Sequence, residues 1–392
     1  MLLFKRIALG LIILSLAAGV WGFFTLLTKG VASTDMSSIV PWGLWMGMYV
    51  FFASTAAGMF VISSLDLLFK VKAFAGTGKI FMLASFASLS ASLVFILANE
   101  GRPERFWHVF IYPNFDSVLT WSVWIYTAVA IATIVLLVVL FLPKSRLPFR
   151  KEPLVKGMMI LGFPIVVLAA GAVGFTLSTQ SSHAFWNVGL FPVLFPIFGL
   201  SAGFGLSRVL IALFGDKQNP NYPKLTKTMA ISTVLLLFAL LYIIASVLVV
   251  GGYFAPPETT AAANYIISGP YWYGFWIIQI GLGAIVPIII LTRIIFQPTM
   301  SKKPAWAITA GLLVLLGAAV ARLNFIIPAQ VVAWSDFEAT PFTSERLTAA
   351  YTPSMAEWTL AIGITALFVL LFYVTAKKMR LIPINKNDEE LE

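Results

Sequence analysis

The chain contains no cysteine and only two histidines, His108 and His183, among its 392 residues. Without thiols there can be no disulfide, no thiolate metal site, no cysteine-ligated iron–sulfur cluster and no covalent c-type haem. Two histidines cannot build a multi-histidine metal site or two stacked b-haems. Charge is scarce as well. Lys, Arg, Asp and Glu together make up 11% of the residues, where about 25% is usual for a soluble domain. Apolar residues supply 60% and the mean hydropathy is +0.94. A soluble protein of this length cannot hide so much hydrocarbon, because its surface must be covered largely by polar groups. The composition therefore predicts an all-α polytopic membrane protein. Its chemistry must use oxygen, nitrogen and aromatic groups, or be carried by a bound organic molecule or a partner chain.

Apolar runs long enough to cross a bilayer, about 20 residues each, occur at ten places. They are Ile7–Thr28, Pro41–Phe69, Ile80–Asn99, Val118–Leu142, Gly157–Ser178, Gly189–Phe214, Met229–Tyr253, Tyr271–Phe296, Trp306–Ile327 and Met355–Ala376. Lys5 and Arg6 ahead of the first run resemble the start of a signal peptide. That run continues through Leu27, longer than a cleavable apolar region, so a retained helix is expected. With the N-terminus inside, nineteen of the 26 basic residues fall on the inner segments, among them Lys70, Lys79, Lys144, Arg146, Arg150, Lys151, Lys302 and Lys386. Four (Lys29, Arg102, Arg105 and Arg346) fall outside, and Arg208, Arg293 and Arg322 lie within spans. The positive-inside rule then places both termini in the cytoplasm, and a prokaryotic inner membrane is the expected location. The formal net charge of +10 is a topology signal rather than a nucleic-acid footprint. One integral membrane domain is expected over 1–392, with 377–392 a cytoplasmic tail whose acidic end, Asp388–Glu392, is solvated.

The outer half is richer in special residues than a simple anchoring belt requires. Eleven of the 12 tryptophans map there, Trp306 being the exception. Both histidines do too, as do Glu100, Glu104, Asp116, Glu258, Asp336, Glu338, Glu345 and Glu357. The long outer segments Gly101–Ser117, Phe254–Pro270 and Pro328–Pro353 contrast with short basic connections inside, and their Gly and Pro residues predict ordered turns. A weak repeat is also present. Ala56-Ala57-Gly58 matches Ser201-Ala202-Gly203, and Gly171–Gly174 matches Ala318–Ala321, giving two four-helix units, 41–178 and 189–327, plus two flanking helices.

One charged cluster stands out at the outer end of the third span: Asn99-Glu100-Gly101-Arg102-Pro103-Glu104-Arg105-Phe106-Trp107-His108, followed by Thr120-Trp121-Ser122-Val123-Trp124. Charges, a helix end, a histidine and interfacial tryptophans can hold a polar ring headgroup whose tail stays in lipid. The same residues can equally form a salt-bridged cap, Glu104 with Arg102 or Arg105. The strings GRPERFWH and LTWSVWIY resemble the signature of the polysulfide-reductase membrane subunits, the NrfD-like family. PWGLWMGMYVFFASTAAG (Pro41–Gly58), FWNVGLFPVLFPIFGLSAG (Phe185–Gly203), ARLNFIIPAQ (Ala321–Gln330) and YTPSMAEW (Tyr351–Trp358) are similar to its other motifs. The last two resemble a ten-span branch that includes the membrane subunit of periplasm-facing nickel–iron hydrogenases and related respiratory complexes. Where some relatives carry a tyrosine in the fifth span, this chain reads Ala170–Phe175.

The resemblance implies a haem-free, metal-free subunit that exchanges electrons between quinone (menaquinone or ubiquinone) and a periplasmic ferredoxin-like iron–sulfur partner. That partner would serve a molybdenum enzyme, a hydrogenase or a multihaem cytochrome. On this reading Glu100 and His108 handle the quinone protons. Trp45, Tyr49, Arg102, Arg105, Trp121, His183 and Trp186 are the candidate quinone contacts. Ser85, Ser88 and Ser92 share one face of the third span below Asn99 and, with Asp66, form a candidate proton path. Arg322 and Glu357 are expected to pair across helices. A secondary transporter and a purely structural anchor for an outer enzyme are the competing functions. A transporter would gather its polar residues at the midplane, whereas here the charges collect at the outer edge, and an anchor would need neither Glu100 nor a pocket.

Overall fold

In hydrocarbon no water is available to satisfy backbone N–H and C=O groups, so each apolar run must close its own hydrogen bonds as a helix. The computed structural model describes residues 2–143, 150–297, 303–333 and 347–384. Lys144, Arg146, Lys302, Trp334, Asp336, Glu338, Glu345, Arg346, Lys386 and the acidic tail lie outside the described residues. Among those described, ten helices are long and apolar enough to cross a membrane. They are α1 (Leu2–Lys29), α2 (Leu44–Leu67), α3 (Gly78–Asn99), α4 (Val118–Phe141), α5 (Lys151–Ser178), α6 (Phe191–Phe214), α7 (Tyr222–Tyr253), α8 (Gly274–Phe296), α9 (Pro304–Ala333) and α10 (Met355–Lys378). No strand occurs among the described residues; Gly215 and Ile384 form an isolated bridge. The protein is an all-α polytopic membrane protein.

Each expected span is present, and the boundaries differ for physical reasons. α7 starts at Tyr222 rather than Met229, because Pro223 suits a first helical turn and lysines there can reach the interface. α9 runs through Pro328 to Ala333. A proline there removes one hydrogen bond, which a helix packed among other helices tolerates. The first half of α8, Gly274–Ile285, is π-helical. Pro287, two residues beyond it, cannot donate to the carbonyl four residues back, a known cause of local widening. Phe254–Pro270 holds a helix, Pro257–Ser268, where the sequence predicts turns.

α2 is central, packing on α3, α5, α6, α9 and α10, whereas α1 lies at the periphery against α10. The α2–α6 joint is the tightest. A Cβ on Gly58 would overlap the Gly199 carbonyl, one on Gly199 the Ser54 carbonyl, and one on Gly203 the Gly58 backbone. Such contact is how membrane helices gain packing energy, since lipid offers no hydrophobic drive to associate. α2–α5 pack as one group; α6 packs on α7 and α9, and α9 on α8. The two ends of the bundle differ. At the basic end Lys151 Nζ donates to the Leu140 and Leu142 carbonyls at 2.9 and 3.0 Å, capping α4. Asp66 Oδ2 there accepts from the Gly78 N–H at 2.8 Å. The opposite, aromatic end carries the site residues that the sequence singles out.

Candidate functional site

At the aromatic end α3 stops at Asn99, and the chain continues through a short 3-10 turn, Pro103–Arg105, and a one-turn helix, His108–Ile111. Glu100, Arg102, Glu104, Arg105 and His108 are all exposed, and no ion pair joins these described residues. The salt-bridged cap is therefore not how this loop is held. Aromatic groups hold it instead. Trp121 Nε1 donates to the Phe115 carbonyl at 2.8 Å and Trp124 Nε1 to the Val109 carbonyl at 3.4 Å. The His108 ring lies 4.1 Å from Trp107 and 5.9 Å from Tyr112. Glu100, though exposed as a residue, loses enough water against the helix end to hold its carboxyl above the ordinary carboxylate range. Asn99 Oδ1 beside it is buried and unpartnered.

A second cluster lies between α5 and α6. His183 is half-buried, its ring 4.4 Å from that of Trp186. Trp186 is fully buried, stacks on Trp42 at 5.3 Å, and donates its Nε1–H to the Phe325 carbonyl at 2.8 Å. Gln330 on α9 clamps Trp42, accepting from its backbone N–H at 3.0 Å and donating to its carbonyl at 2.9 Å. His183 Nδ1 is buried and has no hydrogen-bond partner. Burial pushes the imidazole below its ordinary pKa, partly opposed by the Ala329 carbonyl and the charge of Glu258. The shift favours the neutral ring, the form able to accept a proton.

The remaining candidates are dispersed. Trp45 is fully buried and gives its Nε1–H to the Glu357 carbonyl at 3.1 Å, so its ring is wall rather than headgroup surface. Tyr49 packs on Tyr126 at 6.1 Å, and the Tyr126 hydroxyl donates to the Ala169 carbonyl. Ser85 donates to the Ala56 carbonyl and Ser92 to the Leu89 carbonyl, each at 2.7 Å, while Ser88 is buried. The Ser85 and Ser92 hydroxyls bond backbone rather than one another.

The expected Arg322–Glu357 pair does not form. Glu357 accepts from the Tyr351 hydroxyl at 2.5 Å, the Ser354 N–H at 2.9 Å and the Asp35 N–H at 3.1 Å. Arg322 instead donates to Ser54 Oγ at 2.6 Å and the Ala318 carbonyl at 3.0 Å. The reason is that Ser354 and Glu357 form a capping box at the start of α10, which fully engages the carboxylate. Burial and the neighbouring Glu357 push the Tyr351 hydroxyl above its ordinary pKa, so it stays a donor, and it also accepts from the Leu44 N–H at 2.7 Å. This node ties the starts of α2 and α10 together. Glu357→Gln turns one acceptor into an NH2 facing donors and should cost about 1–3 kcal/mol. Thermal unfolding in detergent should fall accordingly, with Tyr351→Phe milder; an unchanged midpoint would count against the node.

Residues 32–333 match the family described as polysulphide reductase, NrfD. The chain belongs to the NrfD family. It is 30% identical to a selenate reductase subunit of Mesobacillus selenatarsenatis, over 95% of this chain and 93% of that one. It is 26% identical to the Hdr-like menaquinol oxidoreductase integral membrane subunit of Archaeoglobus fulgidus, over 97% and 95%. Identity to the menaquinone reductase integral membrane subunit of Nitratidesulfovibrio vulgaris is 22%, over 95% and 90%. The NrfD match includes Glu100, His183 and Gln330 but stops short of the Tyr351–Glu357 node. Sequence reasoning missed Gln330, Asp35 and Tyr351 as structural partners. The S-x-x-E spacing of Ser354 and Glu357 before an apolar run was the available signal for a cap. Among the described residues no three His, Asp or Glu side chains converge as metal ligands would.

Proposed function

We propose that this NrfD-family chain is the haem-free, quinone-reactive membrane subunit of a respiratory oxidoreductase complex. It exchanges electrons between the quinone pool and an iron–sulfur partner that docks on the aromatic end, which faces the periplasm, both termini being cytoplasmic. The carrying observation is His183: a half-buried imidazole with an unpartnered nitrogen, set against the Trp42–Trp186 stack at the end where Glu100 also lies. A quinol losing two electrons must also release two protons, and a neutral imidazole and a carboxylate are suitable acceptors. The names of the relatives, which mention menaquinol and menaquinone, support the same substrate.

On this reading the exposed aromatics Phe106, Trp107, Tyr112 and Phe115 form the docking face, aromatic residues being enriched at protein interfaces. Asn114→Cys should react with an impermeant maleimide from the periplasmic side in the free subunit and be shielded in the complex. Equal labelling in both would remove this loop from the interface, and labelling only from the cytoplasmic side would reverse the proposed orientation.

A further inference from the structure

Gln330, near the aromatic end of α9, is 1% exposed, and its side chain bonds only backbone. Its Oε1 accepts from the Trp42 N–H at 3.0 Å, and its Nε2 donates to the Trp42 and Ile326 carbonyls, each at 2.9 Å. Trp42 lies before α2, which begins at Leu44, so its peptide groups have no helix to satisfy them. The glutamine amide satisfies both, as a facing residue does in an antiparallel ladder. Trp42 is thereby fixed at its backbone by one buried side chain from a segment 288 positions away.

What Trp42 does next is stack its ring on that of Trp186, 25° from parallel. Trp186 also lies outside any helix, and its Nε1–H is held by the Phe325 carbonyl, one turn before Gln330 on α9. The Ala329 carbonyl, on the same side of α9, meets the His183 ring. That side of α9 is locked, because the buried Phe325 ring packs on Phe185, Phe191 and Phe198 at 6.1, 5.7 and 6.0 Å. His183 and Trp186 share one turn, the His183 carbonyl accepting from the Trp186 N–H at 3.0 Å, and their rings touch. A change in the direction of the indole is therefore carried to the imidazole. We propose that Gln330 is a positioning residue: by fixing Trp42 it holds Trp186, and through Trp186 the His183 ring, in the orientation that takes the quinol proton. This role rests on the reading of His183 as a proton acceptor. A displacement of about 1 Å at a reacting group can cost about 10²-fold in rate, so the groups that support such a side chain matter as much as the side chain itself. Were Gln330 only a brace for the fold, its loss would act independently of His183.

The chain has only two histidines, so the histidine-labelled full chain in detergent gives two imidazole signals by NMR, told apart with His108→Gln. Gln330→Leu should shift the His183 ring signals and bring its titration closer to that of an exposed imidazole, with the His108 signals unmoved. In the assembled complex the same variant should lower quinol-linked turnover about 10²-fold. Combined with His183→Gln it should cost nothing further, because residues that act as one unit are not additive. Gln330→Glu keeps an acceptor for the Trp42 N–H and leaves the Trp42 carbonyl without an amide donor. It should give the same changes at smaller size, and it decides if Gln330→Leu does not fold. Unmoved His183 signals would overturn the positioning role and leave His183 as proton acceptor untouched. So would wild-type turnover in the Gln330 variants, or a double variant slower than His183→Gln by the factor that Gln330→Leu costs alone. Wild-type turnover in His183→Gln would instead remove the proton reading, and this role with it, whatever the ring signals show.

Discussion

Replacing His183 or Glu100 with Gln is expected to lower quinol-linked turnover of the assembled complex by about 10²–10⁴-fold, the range for a positioned acid–base group, with folding intact. Glutamine keeps the approximate size of each side chain and removes its titration. Among the described residues Glu100 makes no ion pair, and His183 packs on Trp186 and meets the Ala329 carbonyl while its Nδ1 has no partner. A fall in turnover with an unchanged thermal midpoint and unchanged partner binding therefore reports proton chemistry. The pH dependence gives a second readout. Partial burial raises the Glu100 carboxyl above its ordinary value and lowers the His183 imidazole below its own. Quinol oxidation needs both deprotonated. Its rate should rise with pH as each group loses its proton and level off once both have, and the sign reverses for quinone reduction. Glu100→Gln should leave only the histidine limb. His108, exposed and edge-on to Trp107, should give the smaller loss. Wild-type turnover in the His183 variant would leave the Trp42–Trp186 cluster a packing feature.

Gly199→Leu should abolish accumulation of folded protein, and Gly199→Ala should already lower the thermal midpoint. Any Cβ at position 199 meets the Ser54 carbonyl, which belongs to a helix backbone and cannot rotate away. Overpacking of this kind costs about 1–3 kcal/mol and sometimes more, and separating α2 from α6 also breaks the Ser54–Arg322 bond. Gly252 is the control, since a Cβ there meets nothing within 4 Å. If Gly199→Leu is inserted and purified with a normal midpoint, the two helices are not held by this contact.

How much of this was legible beforehand depended on the range of the interaction. Span number and helix type follow from local hydrophobicity, because a backbone in lipid has no alternative to the helix. The GRPERFWH cluster and the S-x-x-E cap are likewise local patterns, visible as strings. Pairings between distant segments were not legible. Arg322 and Glu357 match by charge, yet Ser354, three residues away, and the Asp35 N–H claim the carboxylate, and Arg322 turns to Ser54, 268 positions away. His108 and His183 are equivalent by composition, and only packing buries one of them against the Trp42–Trp186 stack and leaves the other exposed. The sequence by itself determined the solvent, the helices and the chemical inventory. Tertiary structure alone decided which polar groups lose water and which partners they meet, because desolvation depends on neighbours from the whole chain.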